Sequence, residues 1–554
     1  MPPFRPRTEL ETHSVANQPP PLPDLDLFDS DTALKQAVAR HGGGSHAARL
    51  HALGQRAGSA EVADWAARAN RQIPELRSFD RYGHRIDEVD FHPAYHGLMD
   101  LGLAHGVSAV AWTAAEAGHV AHAGLMFLMA QAEPGVCCPM SMTYAAIPAL
   151  RHAPAVADDW VPRLTAGVYD PASRPVWDKA GATLGMAMTE KQGGSDVRAN
   201  ATTATPLSDG GYSLRGHKWF CSAPMSDGFL TLATTGAGLT CFLVPRWRPD
   251  GSRNAIHVLR LKDKLGDRAN ASSEIEYHDA WAQRVGEDGR GVRTIIEMVH
   301  HTRLDCTVAP AALMRQAVAN ALWHAAHRTA FQRKLLDQPL MRRLLADLAL
   351  ESEAATALAF RNAAAFDGTA AGTEQETAFA RLATPVGKYW LNKRVPGLVY
   401  EAMEAHGGAG YVEESVMPRL YRQAPLNSIW EGSGNVICLD VLRALHKSPE
   451  AGEAVMAEIT AAAGANPHLD RAAKALGDRL ARRDVTEPEA RRLTEQIALA
   501  LQGALLVRHA PAALADAFCA ARLGGEAGLA FGTLGDAADL DAILARAGPA
   551  EASA

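Results

Sequence analysis

Met186 to Asn200 reads MAMTEKQGGSDVRAN, a turn-rich run that separates a helical stretch from a β-rich one. Gly193 and Gly194 allow the backbone to approach a ligand closely. Met186, Met188, Thr189 and Ser195 set thioethers and hydroxyls beside them. Taken alone, the run also reads as an ordinary loop whose hydroxyls cap their own backbone.

Downstream, from 183 to 285, short β-branched and aromatic runs such as Leu230 to Leu232, Thr240 to Val244 and Ser273 to Tyr277 recur about every ten residues between turn residues. That rhythm predicts an antiparallel β domain rather than βαβ units. Upstream, 31–182 is rich in Ala, Leu and Met and predicts a helical N-terminal domain, preceded by an arm (1–30) that contains the extended QPPPLP run at Gln18 to Pro23. After the sheet, Val292, Ile295, Ile296 and Val299 restore the helical period and open a bundle over 286–446. An Ala-rich helical unit is predicted for 447–554. The fold class is therefore mainly α with an inserted antiparallel β domain.

The 554 residues are 47% hydrophobic and 21% charged, with net charge −7, so the chain folds into a substantial core and carries no global field for nucleic acid or anionic lipid. Apolar stretches such as Ile497 to Val507 fall short of the roughly 20 residues a membrane span needs. The first residues lack the apolar segment of a secretory signal, and a cytoplasmic location is expected. Seven cysteines without a C-x-x-C pair suit reduced core thiols, and no metal site is expected.

Three further segments carry chemistry. Gly216 to Ser222 (GHKWFCS) lies on a predicted strand whose alternation sets Phe220 and Ser222 on one face and Trp219 and Cys221 on the other. An aromatic and a hydroxyl on one surface suit a flat heteroaromatic ring, although a core aromatic explains Phe220 equally. Asn427 to Asn435 (NSIWEGSGN) places Glu431 beside Trp430, where partial desolvation favours a proton-abstracting carboxylate. A helix-start acid capped by Asn427 or Ser428 reads as well. Gly407 and Gly408 in Met403 to Tyr411 (MEAHGGAGY) fit a helix stop or a pyrophosphate contact, and Arg328, Phe331 and Gln338 fit a solvated helix end or a phosphate site.

Read in order, M-T-E-x-x-G-G-S-D, H-K-W-F-x-S, K-L-G-x-R, R-x-x-F, G-G-x-G-Y and W-E-G-S-G-N resemble the acyl-CoA dehydrogenase family over about Phe91 to Ala444. Within it the whole chain is similar to a bacterial branch of DNA alkylation-response flavoproteins, through the H-S-V-x-N-Q-P arm, the LKDKLGDRAN run and the extra C-terminal helices. The resemblance implies FAD between sheet and bundle, contacted by Met186, Met188, Thr189, Gly194, Ser195, Phe220, Cys221, Ser222, Ile429, Trp430, Gly432, Ser433, Gly434 and Asn435. It implies Arg328, Phe331, Gln338, Gly407 and Gly408 reaching the cofactor across a subunit contact of a homotetramer. Glu431 would be the base that removes the α-proton of an acyl-CoA thioester, isovaleryl-CoA or a similar short branched chain, with Arg303 behind it. Electron-transfer flavoprotein or oxygen would be the acceptor. Gln332, where a glycine usually follows the R-x-x-F phenylalanine, and Glu404, where relatives often carry glutamine, depart from the pattern.

The second reading is double-stranded DNA binding with weak or vestigial dehydrogenase activity. Residues 447–554 carry 11 Lys+Arg against 15 Asp+Glu, a net −4 that disfavours a general phosphate binder. Arg479, Arg482, Arg483, Arg491 and Arg492 form a local candidate patch, or equally a solvated helix face laced with acids.

Overall fold

The computed structural model describes residues 7–482 and 484–548. Two N-terminal helices, Gly118–Ala132 and Pro134–Leu150, are apolar on all sides and lie buried from end to end. A helix with no polar face has no solvent side. Shorter helices wrap them, begun by side-chain caps: Asp31 accepts from the Leu34 amide at 3.0 Å and Ser59 from that of Val62 at 3.3 Å. The region also holds a hairpin the helical reading missed, β1 (Glu75–Phe79) and β2 (Arg85–Asp90). Its Glu88 is gripped by Arg253 at 2.8 Å, which ties the hairpin to the central sheet.

That sheet has seven strands: β3 (Leu184–Ala187), β4 (Thr203–Pro206), β5 (Tyr212–Ser222), β6 (Gly228–Thr235), β7 (Gly238–Pro245), β8 (Ile256–Leu261) and β9 (Ser272–Val285). It runs β3-β6-β4-β5-β9-β7, with β8 on β9, and β6 also pairs with β7, so the sheet closes into a barrel. Pairing is antiparallel except where β6 meets β3 and, at Thr203 and Thr234, β4. Inward residues such as Leu214, Phe242, Val244 and Ile275 fill the barrel.

Three long helices follow, Gly291–His327, Pro339–Ala370 and Glu374–Ala405, and then Gly434–Lys447. Gly291 starts the first because a Cβ there would strike the backbone of Thr240 and Cys241 in β7. Pro310, Pro385 and Pro396 lie inside helices, where packing overrides the local tendency to break. The C-terminal helices fold back onto this bundle in one continuous hydrophobic core. Trp390 donates to the buried Gln502 Oε1 at 3.0 Å, and Arg522 lies 3.0 Å from Glu351. No helix among the described residues is long and apolar enough to cross a membrane.

Candidate functional site

Glu431 sits in the turn between the bundle's third long helix and Gly434–Lys447. Its φ of +57° and the +100° of Gly432 make a left-handed pair, and a left-handed non-glycine residue is held only where its surroundings over-determine it. Those surroundings are specific. The Thr302 hydroxyl donates to Glu431 Oε2 at 2.9 Å, and Arg303 Nε donates to the Glu431 carbonyl at 3.0 Å. Lys388 Nζ donates to the carbonyls of Asn427 at 3.0 Å and Gly432 at 2.7 Å. Arg303 also pairs with Asp440 at 2.9 Å. Burial raises the proton affinity of Glu431 above that of an ordinary glutamate, although Thr302, Arg303 and Lys388 pull it back.

Glu431 is thus not a helix-start acid. Gly434–Lys447 begins three residues later, Asn427 Oδ1 accepts from the Trp430 indole at 2.6 Å, and Ser428 Oγ accepts from Lys393 at 2.8 Å. Trp430 packs into the apolar cluster that contains Cys138, Met142, Ile295 and Met298, with Met186 and Met188 at its edge. Ile429 is 65% exposed, and Ser433 and Asn435 lie open at the start of the helix.

The two glycine- and lysine-bearing motifs meet through residues that sequence reading passed over. Glu190 of MTEKQGGSD accepts from Lys218 Nζ at 2.8 Å, from Thr202 Oγ1 at 2.6 Å and from the Ala201 amide at 2.6 Å, with both charged side chains sealed from solvent. Burial opposes ionisation of Glu190, but Lys218 and the hydrogen bonds prevail and hold it down to about 2. Gly194 has no room for a side chain, since a Cβ would collide with Thr189 Oγ1. Ser195 is exposed and Thr189 half-buried.

On β5 the expected faces hold for Phe220, Cys221 and Ser222 but not for Trp219, which is half-buried beside the Lys262 ammonium. The register with β9 shifts between Lys218 and Cys221, so a bulge turns Phe220 outward, 49% exposed, and buries both Lys218 and Cys221. Cys221 is enclosed in the barrel core and presents no atom at the surface, which corrects its expected place at the cofactor. Ser222, half-buried, lies 3.1 Å from Ser272 through their hydroxyls.

Arg328, Phe331, Gln338, Gly407 and Gly408 gather elsewhere, at the far end of the bundle. Strands β10 (Thr329–Ala330) and β11 (Arg333–Lys334) form a tight hairpin with Phe331 at its tip, 94% exposed. Gln332, in the usual place of glycine, keeps a left-handed φ of +64°. The N-terminal arm holds this hairpin: Asn17 Oδ1 accepts from the Thr329 amide at 2.8 Å, its Nδ2 donates to the Thr329 carbonyl at 2.7 Å, and Arg328 donates to the Asn17 carbonyl. Gln338 Nε2 donates to the Ala330 carbonyl at 3.1 Å. Gly407 carries the left-handed residue after the helix, and nothing lies within 4 Å of a Cβ at Gly407 or Gly408. Glu404 is engaged by the Tyr400 hydroxyl, whose proton it holds above the ordinary value.

The C-terminal arginines do not form one basic face. Arg479 pairs with Glu489 at 2.9 Å, Arg482 lies 3.8 Å from Asp484, and Arg491 reaches over the Tyr389 ring at 5.8 Å, while Arg492 is exposed. Arg483 lies outside the described residues.

Comparison with known proteins agrees with this architecture. Residues 17–171 match the family "Adaptive response protein AidB N-terminal domain", 185–280 "Acyl-CoA dehydrogenase, middle domain" and 289–446 "Acyl-CoA dehydrogenase, C-terminal domain". The chain belongs to the acyl-CoA dehydrogenase family of FAD-binding oxidoreductases. It is similar to AidB of Escherichia coli (strain K12), 46% identical over 512 residues, 92% of this chain and 94% of that one. It is also 32% identical to acyl-CoA dehydrogenase family member 11 of Caenorhabditis elegans over 72% of this chain and 66% of that one. The crystal structure of Caenorhabditis elegans ACDH-11 in complex with C11-CoA superposes with a TM-score of 0.83 at 27% identity, covering 93% and 92% of the two chains.

Proposed function

We propose that this chain catalyses α,β-dehydrogenation of an acyl-CoA thioester with Glu431 as the base. The observation that carries the reading is the Glu431 carboxyl itself: half-buried, raised in proton affinity, yet hydrogen-bonded by Thr302 and held beside two cations. A carboxylate whose proton affinity is raised by burial has more driving force to take a weakly acidic C–H proton than an ordinary glutamate has. Its carboxylate takes the α-proton, the electron pair of that bond forms the new double bond, and the β-hydrogen leaves as hydride. FAD, when bound, supplies the hydride acceptor.

The residues present fit FAD. Outward-facing Phe220 and Ile429 offer apolar faces, Thr189, Ser195, Ser222 and Ser433 offer hydroxyls, and Gly432 and Gly434 leave the backbone approachable. Met186, Met188 and Trp430 would flank them, with Asn435 at the helix start. Phe331, Arg328 and the open Gly407 and Gly408 would meet the cofactor of a second copy. That a ring 94% exposed stands on a braced hairpin supports such an interface, and with it the homotetramer. Arg303 binds the backbone carbonyl of Glu431 rather than its carboxylate, so its part is to fix the turn. The domain division at 182, 285 and 446 belongs to the same reading.

Trp430, next to Glu431 in the chain, packs on Met142, Ile295 and Met298 of the apolar core, and the short branched acyl group such as isovaleryl is kept as the substrate reading. The C11-CoA held by the worm relative represents the longer-chain alternative. Incubation with isovaleryl-CoA and C11-CoA and a dye acceptor, followed by mass spectrometry, tests the reading. Loss of two hydrogens from isovaleryl-CoA supports it, and unchanged thioesters refute it. Reoxidation falls to electron-transfer flavoprotein or to oxygen, which anaerobic turnover with each separates. Duplex DNA binding is the second reading, favoured by the likeness to AidB and confined by the paired arginines to a small part of the C-terminal helices.

A further inference from the structure

Lys388 lies in the helix Glu374–Ala405 and is 1% exposed. A buried ammonium needs compensation by hydrogen bonds and opposite charge. Its Nζ finds the carbonyls of Asn427 and Gly432, and among the described residues no carboxylate lies within ion-pair distance of it. Those carbonyls bracket Glu431. We propose that Lys388 is a positioning residue of the base: by clamping the turn on both sides it holds Glu431 in its left-handed conformation and adds a fixed cation, beside Arg303, against which the carboxylate ionises. This inference rests on Glu431 being the base.

Two cations lie near Glu431, Arg303 and Lys388, and Lys388 is the one whose ammonium binds carbonyls on both sides of it. From Gly291–His327 come Thr302, a neutral donor, Arg303, a second cation that shares Asp440 with two other arginines, and Cys306. From Pro134–Leu150 comes Cys138. Burial pushes Cys306 up to about 12 and Cys138 above the range where a thiol ionises, so both are neutral at physiological pH. Asp440 is shared by Arg303, Arg381 and Arg443 and has no charge to spare. Burial lowers Lys388 to about 8, with Glu431 acting to keep it protonated. The helix at Lys388 is thus joined to the base both through backbone and through charge.

The test titrates the Glu431 carboxyl in the holoprotein by infrared difference spectroscopy with carbon-13 carboxyl labelling, the band assigned by its loss in Glu431→Gln. Lys388→Met is expected to raise the carboxyl midpoint by about one pH unit or more, because a nearby cation is removed, and Lys388→Arg to restore it. Should Lys388→Met not fold, Lys388→Gln removes the charge, keeps a donor for the carbonyls and carries the same expectation. The acid limb of flavin bleaching by an acyl-CoA is expected to move with the midpoint. An unmoved midpoint in the uncharged variants, or a rate lowered equally at every pH, overturns the inference. The carboxyl titration needs no turnover, so failure of the dehydrogenase reading, a wild-type flavin that no thioester bleaches, is seen separately.

Discussion

Lys218 and Glu190 form a fully enclosed ion pair, 2.8 Å apart, that joins the segment Met186 to Asn200 to strand β5. Next to Glu190 lies the half-buried Thr189, and two residues past Lys218 the outward-facing Phe220. The pair therefore fixes the geometry of both motifs from behind.

Removing one partner leaves a buried charge uncompensated. Lys218→Met is expected to lower unfolding stability by about 3–5 kcal/mol, measured by chemical denaturation. Replacing both partners with apolar residues is expected to cost less than the single change.

The same pair sets an acid limit. A carboxylate depressed in the folded state stabilises above its unfolded value, about 4.3, and that stability is lost as pH falls toward the folded value of about 2. Thermal unfolding temperatures are expected to drop between those pH values, and less steeply in a Glu190→Gln variant that still folds.

Thr302 donates to the ionised Glu431, so its removal favours the protonated form. Thr302→Val is expected to shift the acid limb of flavin reduction upward by about one pH unit, the worth of a hydrogen bond to a charged group. Stopped-flow reduction at a series of pH values reads the shift. A limb that stays in place contradicts the assigned contact.

Gly194 has no space for a methyl group against Thr189. Gly194→Ala is expected to weaken flavin retention at least about tenfold, about 1.4 kcal/mol, with little change in the helical circular dichroism. Fluorescence of released flavin on dilution measures it.

If the chain retains duplex DNA, its C-terminal contact runs through Arg482 and Arg492, because Arg479 and Arg491 are engaged within the protein. Arg482→Ala with Arg492→Ala is expected to reduce the salt slope of binding by about 2, while Arg479→Ala leaves it unchanged.

Much of this was legible in the sequence. The ten-residue rhythm of β-branched runs announced the barrel, the return of the helical period at Val292 announced the bundle, and W-E-G-S-G-N singled out Glu431. Periodicity failed where geometry departs from a regular repeat. The bulge after Lys218 interrupted the alternation of β5, so that Lys218 and Cys221, three residues apart, are both enclosed. The β1–β2 hairpin was lost among helical composition because only ten or so residues carry it. Thr302 and Lys388 were beyond sequence reasoning for a different cause: their partners are 129 and 44 residues away, and nothing local marks a lysine that binds carbonyls.

The central claim is that Glu431 removes a proton from a bound acyl-CoA. Its most direct measurement is an anaerobic titration of the holoprotein with a panel of acyl-CoAs, following the flavin absorption bands in wild type and Glu431→Gln. The account predicts rapid bleaching by one chain class, slowed by about two to four orders of magnitude in the variant, the usual worth of a positioned general base. Flavin bands that no thioester bleaches, or bleaching that survives in Glu431→Gln, would contradict it.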